Sequence, residues 1–138
     1  FWAERGGGAW LDKRPLNARH SGVRLKQSIG IIDFKRLGPE LAQWLAEQPP
    51  YSSQRSFGSV ALDWCWLAAG RGHVYLHGKQ RIWDYAAGSL ILDEAGGRAV
   101  TLDGEPVFQA DIAPRSAVAA LDPDLFREWT TYLRIATD

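Results

Sequence analysis

The sequence predicts an α/β fold, a mixed and largely parallel sheet flanked by helices. Three observations carry that expectation. From residue 29 onward extended and helical segments alternate, the pattern of layered α/β domains. The extended segments are short and β-branched or small, as strands covered on both faces require. Each helical segment is bracketed by chemistry that starts or stops a helix, such as Gly38-Pro39, Ser59, Asp84 and Asp122-Pro123 at the starts and Gly70 and Gly96-Gly97 at the ends.

Taken in order, Phe1 to Leu16 reads as a strand, the glycine turn Gly6-Gly7-Gly8 and a second strand. The triple glycine lacks the strand-then-helix setting of a dinucleotide loop. After a polar stretch, Ile29-Gly30-Ile31-Ile32 suits a buried strand. Pro39 and Glu40 open a helix with the stripe Leu41, Trp44, Leu45, which Gln48-Pro49-Pro50 closes. Tyr51 to Phe57 is extended. A helix over 59–69 follows, with Ser59 as N-cap and the stripe Leu62, Cys65, Trp66, Ala69.

Trp44, Trp66 and Trp129 are assigned to the core, whereas Trp64 falls off its stripe and is expected to face a missing half or a partner. Gly72 to Leu76 is a strand, and a polar loop from His77 to Arg81 leads to Trp83-Asp84. The spacing of Ala87, Leu90, Ile91 and Ala95 marks the next helix. Arg98 to Leu102 is a strand, Asp103-Gly104 a turn, and Ser116 to Leu121 a strand. Asp122-Pro123 then caps a helix with the stripe Leu125, Phe126, Trp129, Tyr132, Leu133.

Composition excludes several functions. The 138 residues hold 16 Lys+Arg and 16 Asp+Glu, and the longest basic pair is Lys35-Arg36, so a nucleic-acid footprint is not expected. One cysteine, Cys65, excludes an internal disulfide framework and points to a reduced, cytoplasmic setting. No apolar run is long enough to span a membrane. The chain has no Met and begins at the bulky Phe1, which predicts that it is a piece of a longer protein.

Ligands of such sheets gather where strands end and helices begin. Two junctions meet that description, Gln54 to Ser59 and Arg81 to Asp84. Asp84 reads either as a plain helix cap or as a hard-cation ligand or general base at a strand end. Lys35 and Arg36, just after a strand, read either as a solvated pair or as an anion contact.

Four separated motifs then occur in order. They are Gly58-Ser59-Val60-Ala61-Leu62-Asp63, Ala68-Ala69-Gly70-Arg71-Gly72, Trp83-Asp84-Tyr85-Ala86-Ala87-Gly88 and Glu94-Ala95-Gly96-Gly97. Together they resemble the carboxy-terminal half of the inositol monophosphatase family. Ala3-Glu4-Arg5-Gly6-Gly7-Gly8-Ala9 and Arg14-Pro15-Leu16 resemble that family's mid-chain glycine hairpin. On this likeness residues 1–16 are the end of a missing N-terminal domain's antiparallel sheet, a two-strand remnant, and 17–138 a C-terminal α/β domain of the layered αβαβα fold.

The resemblance implies a Mg²⁺-dependent phosphomonoesterase, often lithium-sensitive, acting on inositol phosphate or a related sugar or nucleotide phosphate. Asp84 corresponds to a metal ligand, and Gly58, Ser59 and Val60 to the wall lining the substrate's ring. His77 stands where inositol-specific members carry a Glu, so myo-inositol phosphate is not the expected preference. Lys35 and Arg36 correspond to a loop on the substrate's far side, where a second anionic group would lie. The family's other metal carboxylates, from a Glu-Glu pair and an Asp-Pro-x-Asp-Gly-Thr motif, have no counterpart in this sequence. The segment alone is therefore expected to be inactive, with the missing N-terminal half and a second copy, as a homodimer, as its partners. The alternatives are a non-catalytic interaction module or a truncated product without a function of its own.

Overall fold

In the computed structural model, which describes residues 1–137, the N-terminal segment forms three antiparallel strands, β1 (Trp2–Glu4), β2 (Gly8–Leu11) and β3 (Arg14–Leu16). The pattern predicts two. The third arises because Asp12 adopts a positive φ of 54°, which lets a two-residue turn pair Leu11 with Arg14. Trp2 and Trp10 stack across the first hairpin.

The remaining strands are β4 (Ile29–Ile32), β5 (Ser53–Arg55), β6 (Val74–Gln80), β7 (Arg98–Val100) and β8 (Arg115–Ala120). They form one sheet in the order β5-β4-β6-β8-β7. Strands β5, β4 and β6 pair in parallel, and β8 runs antiparallel to both of its neighbours, β6 and β7. Four strands thus share one direction. The core strands are as apolar as expected, with Ile31, Ile32, Val74, Tyr75, Leu76 and Ala117 to Ala120 at most 1% exposed.

Four helices cover the sheet: α1 (Pro39–Glu47), α2 (Val60–Ala68), α3 (Ile82–Glu94) and α4 (Pro123–Tyr132). Trp44 of α1 stacks on Tyr132 of α4, and Trp129 of α4 donates its indole N–H to the Tyr75 carbonyl at 3.0 Å. Asp122 caps α4 as predicted, accepting the Leu125 N–H at 2.8 Å. Trp44 and Trp66 are only half-buried.

Helices α2 and α3 pack directly on each other, and here the predicted stripe of α2 turns around while that of α3 holds at Ile91 and Ala95 and fails at Ala87. Asp63, Trp64, Leu67 and Ala68 are the buried residues of α2, while Leu62 is 44% exposed. Trp64 is fully enclosed rather than facing outward. Gly88 makes this possible, since a Cβ there would lie 2.3 Å from the Trp64 Cβ. On α3 the buried face is Tyr85, Gly88, Ile91 and Leu92, with Ala87 exposed. Both helices are apolar nearly all round, so periodicity alone could not orient them.

The glycine turn is held from α3. Glu94, near the end of α3, accepts the N–H groups of Gly6 at 3.1 Å and Gly8 at 3.0 Å, and these bonds lower its pKa. Two of the turn's amides are thus occupied by a carboxylate, and the third, of Gly7, donates to the Glu4 carbonyl at 2.7 Å.

Candidate functional site at the ends of the parallel strands

Three parallel strands end along one edge, and every predicted site residue except His77, which lies within β6, is on the segments that leave it or in the first turn of the helix that follows. A 3₁₀ turn (Phe34–Arg36) follows β4, the loop from Ser56 to Ser59 joins β5 to α2, and Arg81 alone joins β6 to α3. This is where an open parallel sheet places ligands.

Asp84 is not the cap of α3. It sits at the third helical position, and Arg81 is the N-cap. The Asp84 Oδ2 reaches back to accept the Arg81 N–H at 2.9 Å, the return half of a capping box. The carboxylate is therefore anchored by the backbone at a helix start, half-buried, with one oxygen engaged in this bond. Ser59 is the N-cap residue of α2, but its hydroxyl makes no capping bond. Gly58 has φ 75°, a conformation that suits glycine, and is exposed.

His77 departs from the predicted loop. β6 runs on to Gln80, and His77 is a strand residue only 1% exposed. The Lys79 N–H donates to its Nδ1 at 3.2 Å, which puts the ring proton on Nε2. That atom lies 3.1 Å from Asp33 Oδ2, but its N–H is not directed at the oxygen and makes no hydrogen bond among the described residues. Burial lowers the His77 pKa and Asp33 offsets part of that, so the ring is neutral near pH 7. As placed here, His77 presents no surface to a ligand.

Lys35 and Arg36 are both exposed. Arg36 is paired with Asp33 at 3.0 Å, whose other oxygen accepts the Lys35 N–H at 3.1 Å. The Lys35 ammonium makes no ion pair among the described residues.

Two acids without a predicted role complete the edge. Asp33 follows β4 and gathers the contacts just described. Asp63 lies in α2 and is 5% exposed. Tyr75 donates its hydroxyl to Asp63 Oδ2 at 3.2 Å, while Oδ1 has no partner. Burial first, with Asp33 adding to it, pushes the Asp63 carboxyl up to about 6. A lone acid inside the apolar run Val60 to Ala69, and an acid directly after a buried strand, are the signals that pattern reading passed over.

The sign of the Asp63 shift makes a test. An acid whose folded pKa is raised costs stability when ionised, a cost absent below about pH 4 and complete above about pH 6. Asp63→Asn keeps an acceptor for Tyr75 and removes the charge. We expect the variant to be more stable by roughly 2 kcal/mol at pH 7.5, with the gain shrinking toward pH 4 in urea titrations. A gain independent of pH would refute the assignment.

Comparison with known proteins agrees with this architecture. Residues 1–136 match the sequence profile of the Inositol monophosphatase family. An inositol-1-monophosphatase of Caulobacter vibrioides is 30% identical over 141 residues, covering 99% of this chain and 54% of that protein. A protein of Xylella fastidiosa named Nus factor SuhB is 32% identical over 115 residues, covering 80% and 42%. The crystal structure of inositol monophosphatase-II from Staphylococcus aureus superposes with a TM-score of 0.84 at 30% identity, covering 96% of this chain and 49% of that one. The chain thus spans about half the length of the relatives it matches along most of its own length. With the profile matched nearly end to end and the solved fold reproduced, the chain belongs to the inositol monophosphatase family.

Proposed function

We propose that this chain is the carboxy-terminal portion of a Mg²⁺-dependent phosphomonoesterase acting on inositol phosphate or a related sugar or nucleotide phosphate. The observation that carries the reading is the position of Asp84, a carboxylate anchored by the Arg81 N–H at the mouth of the parallel sheet. Its chemistry suits a hard cation. The number of ligands does not, because among the described residues no three His, Cys, Asp or Glu side chains form a group that could hold a metal. Asp84 would contribute one ligand, and the rest must come from outside this segment. When bound, Mg²⁺ would polarise the phosphate and activate water.

What the chain itself supplies is positioning. Gly58, Ser59 and Val60 would wall the alcohol part of the ester. The first-turn N–H groups of α2, left uncapped by Ser59, are free to meet an anion. His77, neutral and buried, would pack behind Asp33 without a hydrogen bond to it and without touching the substrate. The wider reading includes a homodimer, lithium sensitivity and a cytoplasmic location; among the described residues no helix is long and apolar enough to cross a membrane.

Two results are expected. The full-length protein hydrolyses phosphomonoesters with Mg²⁺ and not with EDTA, whereas residues 1–138 alone release no phosphate; turnover by the segment alone would overturn the assignment of ligands. Lys35→Ala in the full-length protein lowers kcat/KM for a bisphosphate about 10-fold more than for a monophosphate, because only the former offers a second anion to this exposed ammonium. Equal losses on both would remove Lys35 from recognition.

A second reading is a non-catalytic interaction module, favoured by the lack of a self-contained metal group and by the Xylella relative's name. An upstream Asp-Pro-x-Asp-Gly-Thr motif in the full-length protein decides for catalysis.

A further inference from the structure

Beside Gly58 the structure holds a small cavity of about 70 Å³, lined chiefly by Asp33, Arg36, Ser56, Gly58, Val60 and Asp63. Its walls come from the end of β4, the loop before α2 and the first turns of α2. Arg36, Ser56 and Gly58 are exposed and form its mouth, and Asp63 is buried.

The direction of every hydrogen bond behind Asp63 is determined. The Trp64 indole can only donate, and it does so to Gln80 Oε1 at 2.9 Å. That leaves the Gln80 amide to donate to the Tyr75 oxygen at 2.8 Å. The Tyr75 hydroxyl must then give its proton to Asp63 Oδ2. Tyr75 is fully buried, and its pKa lies far above the ordinary phenol value, so it remains a donor. Three buried side chains thus hold Asp63, a residue of the cavity wall, in one orientation and leave its Oδ1 as an acceptor with no partner.

Charge narrows what can enter. Arg36 is already paired with Asp33 at 3.0 Å, so Asp63 is the uncompensated group. A buried carboxylate oxygen without a partner is costly, and a donor relieves it. The volume suits one functional group rather than a whole ring.

We propose that this cavity is a subsite that takes a hydrogen-bond-donating group, a hydroxyl or a protonated amine, from the alcohol part of the bound phosphate ester, with Asp63 Oδ1 as its acceptor. The proposal rests on the reading of Gly58 to Val60 as the substrate wall. Asp63 thereby selects among esters, and it takes no part in breaking the phosphate bond.

The test is Asp63→Asn in the full-length protein. With the Asn carbonyl kept by Tyr75, the variant turns an amide N–H₂ toward the cavity and converts acceptor to donor. We measure kcat/KM for inositol 1-phosphate against cyclohexyl phosphate, and for 2-aminoethyl phosphate against ethyl phosphate. The expected result is that at least one ratio falls about 10-fold or more through KM, the first for a hydroxyl and the second for an amine. Equal losses within both pairs, or ratios that do not move in a variant at least as stable as the wild type, would overturn the subsite. If the wild-type protein turns over none of the four compounds, the phosphatase reading fails by itself. The same pairs then report by thermal shift, where a donor-specific shift lost in the variant supports the subsite and identical shifts overturn it.

Discussion

Asp84→Asn in the full-length protein is expected to lower kcat/KM at least 100-fold while leaving stability within about 1 kcal/mol of wild type. The two halves of that expectation have separate causes. Asn retains an oxygen that accepts the Arg81 N–H at the start of α3, so the capping box survives. It lacks the charge that a hard cation needs, and loss even of groups that only orient a metal ligand costs about 10- to 100-fold. Activity should recover partly at high Mg²⁺ if the residue acts through the metal. A drop in melting temperature that accounts for the lost activity, or unaltered turnover, would assign Asp84 to capping alone.

Gly78→Ala is expected to destabilise the protein by about 3 kcal/mol. A Cβ at Gly78 would sit 1.8 Å from the Arg36 carbonyl oxygen and 2.7 Å from its carbon. Backbone cannot swing aside as a side chain does, so the turn of residues 34–36 must lift off β6. Gly78 lies in the irregular stretch where the pairing of β6 with β8 shifts register, between His77 and Gln80. Lifting that turn would draw Asp33 away from His77 and open the cavity at Asp63. Gly38→Ala is the control, because a Cβ there meets nothing within 4 Å and the backbone is ordinary extended chain. It should change stability by no more than about 0.5 kcal/mol. Equal effects of the two substitutions would show that the close approach at Gly78 is not what limits the residue.

Which residues share an edge was legible before any coordinates. Parallel strands alternating with helices put Gly58 to Val60 and Asp84 at strand ends along one edge, and the structure has them there, after β5 and β6 on either side of β4. How each side chain is used was less legible. Ser59 carries the right chemistry for a cap and does not use it. Asp84 reads as a cap and reaches back to one from the third position instead, because the helix begins two residues earlier at Ile82. His77 sits among polar neighbours, and Gly78 with Lys79 suggests a loop. Yet pairing with Ala117 keeps the strand going and buries the ring.

Trp64 shows the general limit. In an amphipathic helix such as α4 the apolar stripe names the buried face, and Leu125, Phe126 and Trp129 are buried as predicted. In α2 almost every residue is apolar, so the stripe is a matter of choice. The close approach of α2 to α3 over Gly88 decides it, and that contact lies 24 residues away along the chain.

The sequence by itself determined the alternation of elements, the Asp122 cap of α4, the family and the edge that gathers the candidate site, because these depend on local periodicity and short motifs. Only the tertiary structure decided that Trp64 is core, that His77 is buried beside Asp33, and that Asp63 keeps one oxygen without a partner. Those outcomes depend on burial and on hydrogen-bond direction between residues distant in sequence. Neither property is carried by the spacing of residues along the chain.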